Sequence, residues 1–142
     1  MGFPFVYNES QTVQVATKLI QVFQKNLKEK AVLVVGLTGD LGAGKTTLCK
    51  EILRQLEVSG PVVSPTFVLR KDYEGILDNQ KIDIIHIDAY RLEKKEQIRQ
   101  VLGEVSDKTL VLVEWAELAD LRYDLHFVLK HTSDLGREIS LA

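Results

Sequence analysis

The chain is poor in cysteine, proline and tryptophan, and each shortage narrows what it can be. One cysteine in 142 residues excludes an internal disulfide framework and a cysteine-rich zinc site. Three prolines, two of them flanking the segment Gly60-Pro61-Val62-Val63-Ser64-Pro65, leave no proline-rich linker, and there is no internal repeat or low-complexity tract. The sequence therefore predicts one domain over residues 1–142. No apolar run is long: the densest, Ala31 to Leu37, falls far short of the roughly 20 residues of a membrane-spanning helix. The N-terminus lacks a basic flank followed by an apolar core, so no signal peptide is expected. Val6 stands where a myristoylation pattern wants Ser or Thr. An excess of one charge is also missing: 18 basic against 20 acidic residues give −2, which argues against autonomous binding to nucleic acid or a membrane surface. What is present is an ordinary globular balance, 45% hydrophobic and 27% charged, and the expectation is a soluble protein of a reducing compartment, the cytoplasm.

The hydrophobic pattern predicts a helix over 10–29, with Ala16, Leu19, Ile20, Phe23 and Leu27 at three- and four-residue spacing. Residues 31–35 read as a strand covered on both faces. A glycine-rich turn at 39–44 and a second helix over 45–56 follow. Strands are expected at 66–72 and 81–88 with a polar connection at 73–80, then a charged helical stretch at 94–102 and a strand at 109–113. Two closing strands, 124–130 and 137–141, read as antiparallel edge elements. The strand–loop–helix unit sets the class as α/β, with a central, mostly parallel sheet flanked by helices and closed by antiparallel strands.

Gly39-Asp40-Leu41-Gly42-Ala43-Gly44-Lys45-Thr46 satisfies G-x-x-x-x-G-K-[ST], after a buried strand and before an amphipathic helix. The glycines let successive N–H groups turn inward as a concave anion site, and the helix aims its N-terminal amides and positive dipole end at the same place. Lys45 would place a cation on the β- and γ-phosphates, and the Thr46 hydroxyl would ligate Mg²⁺. Chance produces the pattern in about half a percent of chains this long. The loop thus points to a P-loop NTPase-like fold.

Magnesium needs oxygen ligands, and in open α/β sheets these stand at the carboxyl ends of strands beside the loop. Asp88 and Glu114 each follow an apolar strand directly; one would ligate the metal with Thr46, the other act through water, and the residues leave the assignment open. Ser64-Pro65-Thr66-Phe67 lies where many nucleotide hydrolases sense the γ-phosphate, with Thr66 reaching the metal, although a plain turn reads the same way. Trp115 could stack on a base or fill core. His86 reads as a satisfied core or rim histidine, Cys49 as packing, and His126 and His131 have no partner pattern. GTP is disfavoured: Asp88-Ala89-Tyr90-Arg91 lacks the switch glycine, and Asn79-Gln80-Lys81-Ile82-Asp83 is out of register for base reading. A phosphotransferase acting on a small molecule and a non-catalytic nucleotide-sensing switch are the competing readings.

Residues 39–47, Ser-Pro-Thr-Phe at 64–67, His-Ile-Asp-Ala-Tyr-Arg-Leu at 86–92 and Val-Glu-Trp-Ala-Glu at 113–117 together resemble, in order, the signature of the TsaE family. This is the bacterial ATPase family of tRNA threonylcarbamoyladenosine synthesis. Ala116, where the family often has proline, departs only locally. The resemblance implies ATP and Mg²⁺ as ligands, with the metal on Thr46 and Glu114, and Asp88 linked to hydrolysis. It implies a nucleotide surrounded by Ser10, Thr12, Trp115 and Arg137, besides the loop residues Asp40, Leu41, Gly42, Ala43, Gly44, Lys45, Thr46 and Thr47. It also implies TsaB and TsaD as partners and contact with tRNA only through them. No arginine finger lies in the loop, Arg91 being a candidate, so slow turnover of the isolated chain is expected.

Overall fold

The structure is a computed structural model that describes residues 2–40, 42–59, 69–133 and 135–142. Its elements are β1 (Phe5–Asn8), α1 (Thr12–Leu27), β2 (Val32–Thr38), α2 (Lys45–Gln55), β3 (Arg70–Leu77), β4 (Gln80–Asp88), α3 (Ile98–Leu102), β5 (Thr109–Glu114), β6 (Leu125–His131) and β7 (Gly136–Leu141). Seven strands among the described residues form one sheet in the order β1-β7-β6-β2-β5-β4-β3. The four central strands β6, β2, β5 and β4 are mutually parallel. β7 runs antiparallel to β6, β1 antiparallel to β7, and β3 antiparallel to β4.

Burial explains this order. Every residue of β5 is buried, as expected for a central strand covered on both faces. One face carries α1 and α2: Leu19 and Phe23, with Leu48 and Ile52, pack on Leu33, Val35, Leu37, Leu110, Leu112 and Phe127. The other face buries Ile85, Ile87, Val111 and Val113 under Ile98, Ala119 and the partly buried Leu92, Leu121 and Tyr123. Gly36 lets that second layer come close. A Cβ there would lie 2.8 Å from the Cβ of Ala116 and 2.9 Å from Cδ1 of Tyr123, distances that real side chains do not tolerate.

Four expectations change. The first helix begins at Thr12, because residues 9–11 form a separate one-turn helix in which the Thr12 hydroxyl donates to Glu9 O at 2.7 Å and Gln11 Oε1 accepts from Asn8 N. Residues 5–8 form a strand that no periodicity announced, held by pairing with β7. The polar connection at 73–80 is mostly strand: β3 runs to Leu77 and turns through Asp78 and Asn79, both left-handed (φ 54° and 61°), a conformation that Asp and Asn tolerate in two-residue hairpins. Residues 66–68 of the expected strand lie outside the described residues, and β3 begins at Arg70. Finally, β6 is an interior strand parallel to β2, so the antiparallel closing role falls to β7 and β1. Because β4, β5, β2 and β6 are parallel, their carboxyl ends Asp88, Glu114, Thr38 and His131 meet at one edge of the sheet. The start of β7 and the end of β1 arrive at the same edge.

Candidate active site

The loop after β2 bends back on itself, with Ala43 N donating to Asp40 O at 3.0 Å. Gly44 caps α2 in the left-handed region (φ 99°), where a side chain would be strained. The first amides of α2 therefore face outward with no partner inside the helix, at its positive dipole end. Lys45 is only 5% exposed. Its ammonium donates to Gly39 O and, at 2.9 Å, to Asp40 O, and it stands 4.1 Å from the centroid of the Trp115 ring. Burial pushes the Lys45 pKa down, and the carboxylates of Glu117, Glu114, Asp40 and Asp88 oppose that push.

The acids arrive from the neighbouring strands. Asp88 and Glu114 are register partners on β4 and β5, so their side chains emerge together on the α2 face. Glu114 is 2% exposed, and both its oxygens are engaged: Oε1 accepts from the Thr46 hydroxyl and Oε2 pairs with His86 Nε2, each at 2.6 Å. Asp88 Oδ1 accepts from Tyr90 N at 3.0 Å. Burial pushes the Asp88 carboxyl above its ordinary value, and the Tyr90 N–H only partly offsets this. A hydroxyl and two carboxylates at the mouth of the glycine-rich loop are hard oxygen donors, which fit a Mg²⁺ ion. Cys49, His86 and Glu114 also bring ligand atoms within 4.8 Å of one another, but Cys49 is wholly buried and burial raises its thiol well above the usual range, so it stands protonated.

Beside the loop lies a cleft of about 310 Å³. Its floor is Gly42, Gly44, Lys45, Thr46 and Thr47; Tyr7, Glu9, Thr12, Trp115 and Arg137 form the walls. Trp115 takes a left-handed backbone (φ 56°), rare for an aromatic residue and a form of strain that clusters at functional sites. Its ring packs on Tyr90 at 5.0 Å between centroids. Arg137 is 8% exposed, donates to its neighbour Gly136 O at 3.0 Å, and takes part in none of the ion pairs among the described residues.

Of the residues expected around a nucleotide, Thr12, Gly42, Gly44, Lys45, Thr46, Thr47, Trp115 and Arg137 meet at this cleft. Asp40 contributes its carbonyl to Lys45, and Ala43, within the loop, is buried in the core. Ser10 is exposed on the turn before α1 and does not belong to the described cleft wall. Leu41 and Thr66, with Ser64, Pro65 and Phe67, lie outside the described residues. Sequence reasoning missed Tyr7 and Glu9, which reach the cleft through the unannounced β1, and two histidines. His86 reads as an ordinary core residue yet holds Glu114. His131, at the end of β6, bonds Gly42 O at 2.5 Å through Nε2. The signal for both is their place at or near the end of a strand that neighbours the loop strand or its acid.

A family model described as "Threonylcarbamoyl adenosine biosynthesis protein TsaE" matches residues 6–139. The chain belongs to the TsaE family. Curated TsaE proteins of Rickettsia prowazekii (36% identical over 100 residues, 69% of this chain and 65% of the relative) and Bacillus subtilis (36% over 111 residues, 75% and 67%) are among its relatives. The TsaE of Haemophilus influenzae is 33% identical over 115 residues, 80% of this chain and 70% of that one. The chain spans 65% of the R. prowazekii TsaE and 60% of the Rickettsia felis one. The crystal structure of YdiB from B. subtilis superposes with a TM-score of 0.64 at 27% identity, covering 99% of this chain and 86% of that one. The TsaE relationship and this superposition agree with the P-loop NTPase-like α/β architecture. Among the described residues no helix is long and apolar enough to cross a membrane.

Proposed function

We propose that the chain is a Mg²⁺-dependent ATPase of the cytoplasm that serves threonylcarbamoyladenosine modification of tRNAs reading codons that begin with A. It works with homologues of TsaB and TsaD and meets tRNA only through them. The observation that carries the reading is the Thr46–Glu114 hydrogen bond at the N-terminus of α2, beside Lys45 on its glycine-rich loop, in a chain of the TsaE family. ATP enters the cleft with its phosphates on the loop amides, and Lys45 exchanges the carbonyls of Gly39 and Asp40 for phosphate oxygens. Tyr7, Glu9, Thr12, Trp115 and Arg137 surround the rest of the nucleotide, with the Arg137 guanidinium free to take an anionic oxygen.

Thr46 and Glu114 would hold the metal, which supplies positive charge for the β- and γ-phosphate oxygens. The shared hydrogen bond favours Glu114 over Asp88 as the direct ligand. Asp88 then positions the attacking water. Its burial raises its proton affinity, which suits a group that receives the proton as the oxygen attacks phosphorus and the ADP oxygen leaves. Thr66 belongs to this proposal as the γ-phosphate-sensing residue expected of its motif. Arg91 is exposed and lies off the cleft, so slow intrinsic turnover follows.

The test is phosphate release from ATP by the isolated chain, by the chain with TsaB and TsaD homologues, and by Lys45→Ala. The proposal expects slow release alone, faster release with partners and none above background from Lys45→Ala. Equal rates for parent and Lys45→Ala would refute the site. Transfer of the γ-phosphate to an added small molecule would replace hydrolysis by phosphotransfer.

A further inference from the structure

His86 is a fully buried polar residue inside β4, and the packing around it does not require its chemistry. It is 0% exposed, on the face where its strand neighbour Ile84 and its register partner Leu112 are apolar, and an apolar side chain would fill that place. Instead the fold keeps an imidazole whose Nδ1 is buried without a partner among the described residues. Only the other nitrogen is used, 2.6 Å from Glu114 Oε2. In that bond an imidazole N–H at Nε2 donates and the carboxylate oxygen accepts. The orphaned Nδ1 is tolerated for the sake of the Nε2 bond.

From this geometry we infer that His86 is a positioning residue that ties down one oxygen of Glu114 so that the other faces Thr46 and the cation site. Glu114 at the end of β5 would otherwise turn freely about its terminal torsion, which is broad for a glutamate. With Oε2 held by His86 and Oε1 on the Thr46 hydroxyl, the carboxylate presents a single orientation at the mouth of the loop. Outer partners of this kind fix the orientation of a ligating group and raise metal affinity. Cys49 is a neutral thiol and offers Glu114 only a weak donor, so the orienting role falls to His86.

The inference rests on the proposed role of Glu114, and its test separates the two. Mn²⁺ binding in the presence of ADP is followed by electron paramagnetic resonance for the parent, His86→Leu, His86→Gln and His86→Asn. ADP binding without metal and thermal melting are measured alongside. A glutamine amide nitrogen stands where Nε2 does and can donate to Glu114; an asparagine amide stops near Nδ1. The expected result is a loss of Mn²⁺ affinity of about 10- to 100-fold in His86→Leu and His86→Asn and recovery to within about threefold in His86→Gln. Metal-free ADP affinity stays unchanged in all of them. If His86→Leu does not fold, the Gln and Asn pair decides. Equal Mn²⁺ affinity in Gln and Asn, or parent-like affinity in folded His86→Leu, overturns the positioning role and leaves the Glu114 assignment standing. If the parent itself binds no Mn²⁺ with ADP, the metal assignment fails and the role of His86 fails with it.

Discussion

Thr46, Asp88 and Glu114 offer oxygen atoms of similar kind within one small volume, yet their surroundings differ. Glu114 is bonded through both oxygens, while Asp88 is held by one backbone N–H and pushed toward protonation by burial. Glu114→Gln should therefore raise the Mg²⁺ concentration needed for half-maximal turnover by at least about tenfold, as should Thr46→Val. Asp88→Asn should leave that concentration nearly unchanged and cut turnover by about 100-fold, the usual size of a general-base effect. A steady-state titration of ATP hydrolysis against Mg²⁺ distinguishes the two, and exchanged phenotypes would reverse the assignment. These residues were legible because the loop pattern is contiguous and because each acid directly follows an apolar strand. His86 was not, since its partner Glu114 lies 28 positions away and only the pairing of β4 with β5 joins them.

Elements succeed in the sequence where their own residues carry the signal, a helical period or an apolar run. α1, α2, β2, β4 and β5 show it, and their ends fell within a few residues of the reading. β1 has four residues and owes its form to β7; the β3–β4 hairpin hides its turn in Asp78-Asn79, where a longer polar connection was expected. The placement of β6 depends on pairing with β2, which alternation within β6 cannot express. Two predictions belong at this level. Gly36→Ala forces a Cβ into the segment that carries Ala116 and Tyr123 and should cost about 1–3 kcal/mol, read from the urea midpoint. His126, at the second position of β6, bonds the Thr38 hydroxyl at 2.6 Å, and burial holds its pKa below the ordinary 6.5 against the pull of Glu117. Below pH 6.5 the unfolded chain therefore binds more protons than the folded one, so the contribution of His126 to stability shrinks as pH falls through that window. His126→Gln should flatten the loss of stability between about pH 7 and about pH 5 in urea titrations. An unchanged slope would contradict the assignment.

At the scale of the molecule, parallel pairing converts distant stretches of sequence into one site. Three parallel junctions bring the ends of β4, β5, β2 and β6 to a single edge, and β7 and β1 add Arg137 and Tyr7 from the two extremes of the chain. The class of the fold was legible because it follows from one strand–loop–helix unit. The loop side of the cleft was legible in the residues themselves and Thr12, Trp115 and Arg137 through the family resemblance, whereas Tyr7 and Glu9 were hidden because strand pairing brings them there. The core beneath it is continuous with α1 and α2, so Phe23→Ala should cost about 3–5 kcal/mol in denaturant. The same variant should leave nucleotide affinity per folded molecule intact. The most direct test of the central claim uses Trp115, the sole tryptophan, whose ring lies over Lys45 at the cleft. Titrating the chain with ATP and Mg²⁺ while recording tryptophan fluorescence should give a saturable change that Lys45→Ala abolishes. No saturable change in the parent, or the same curve in Lys45→Ala, would contradict a triphosphate seated on residues 39–46.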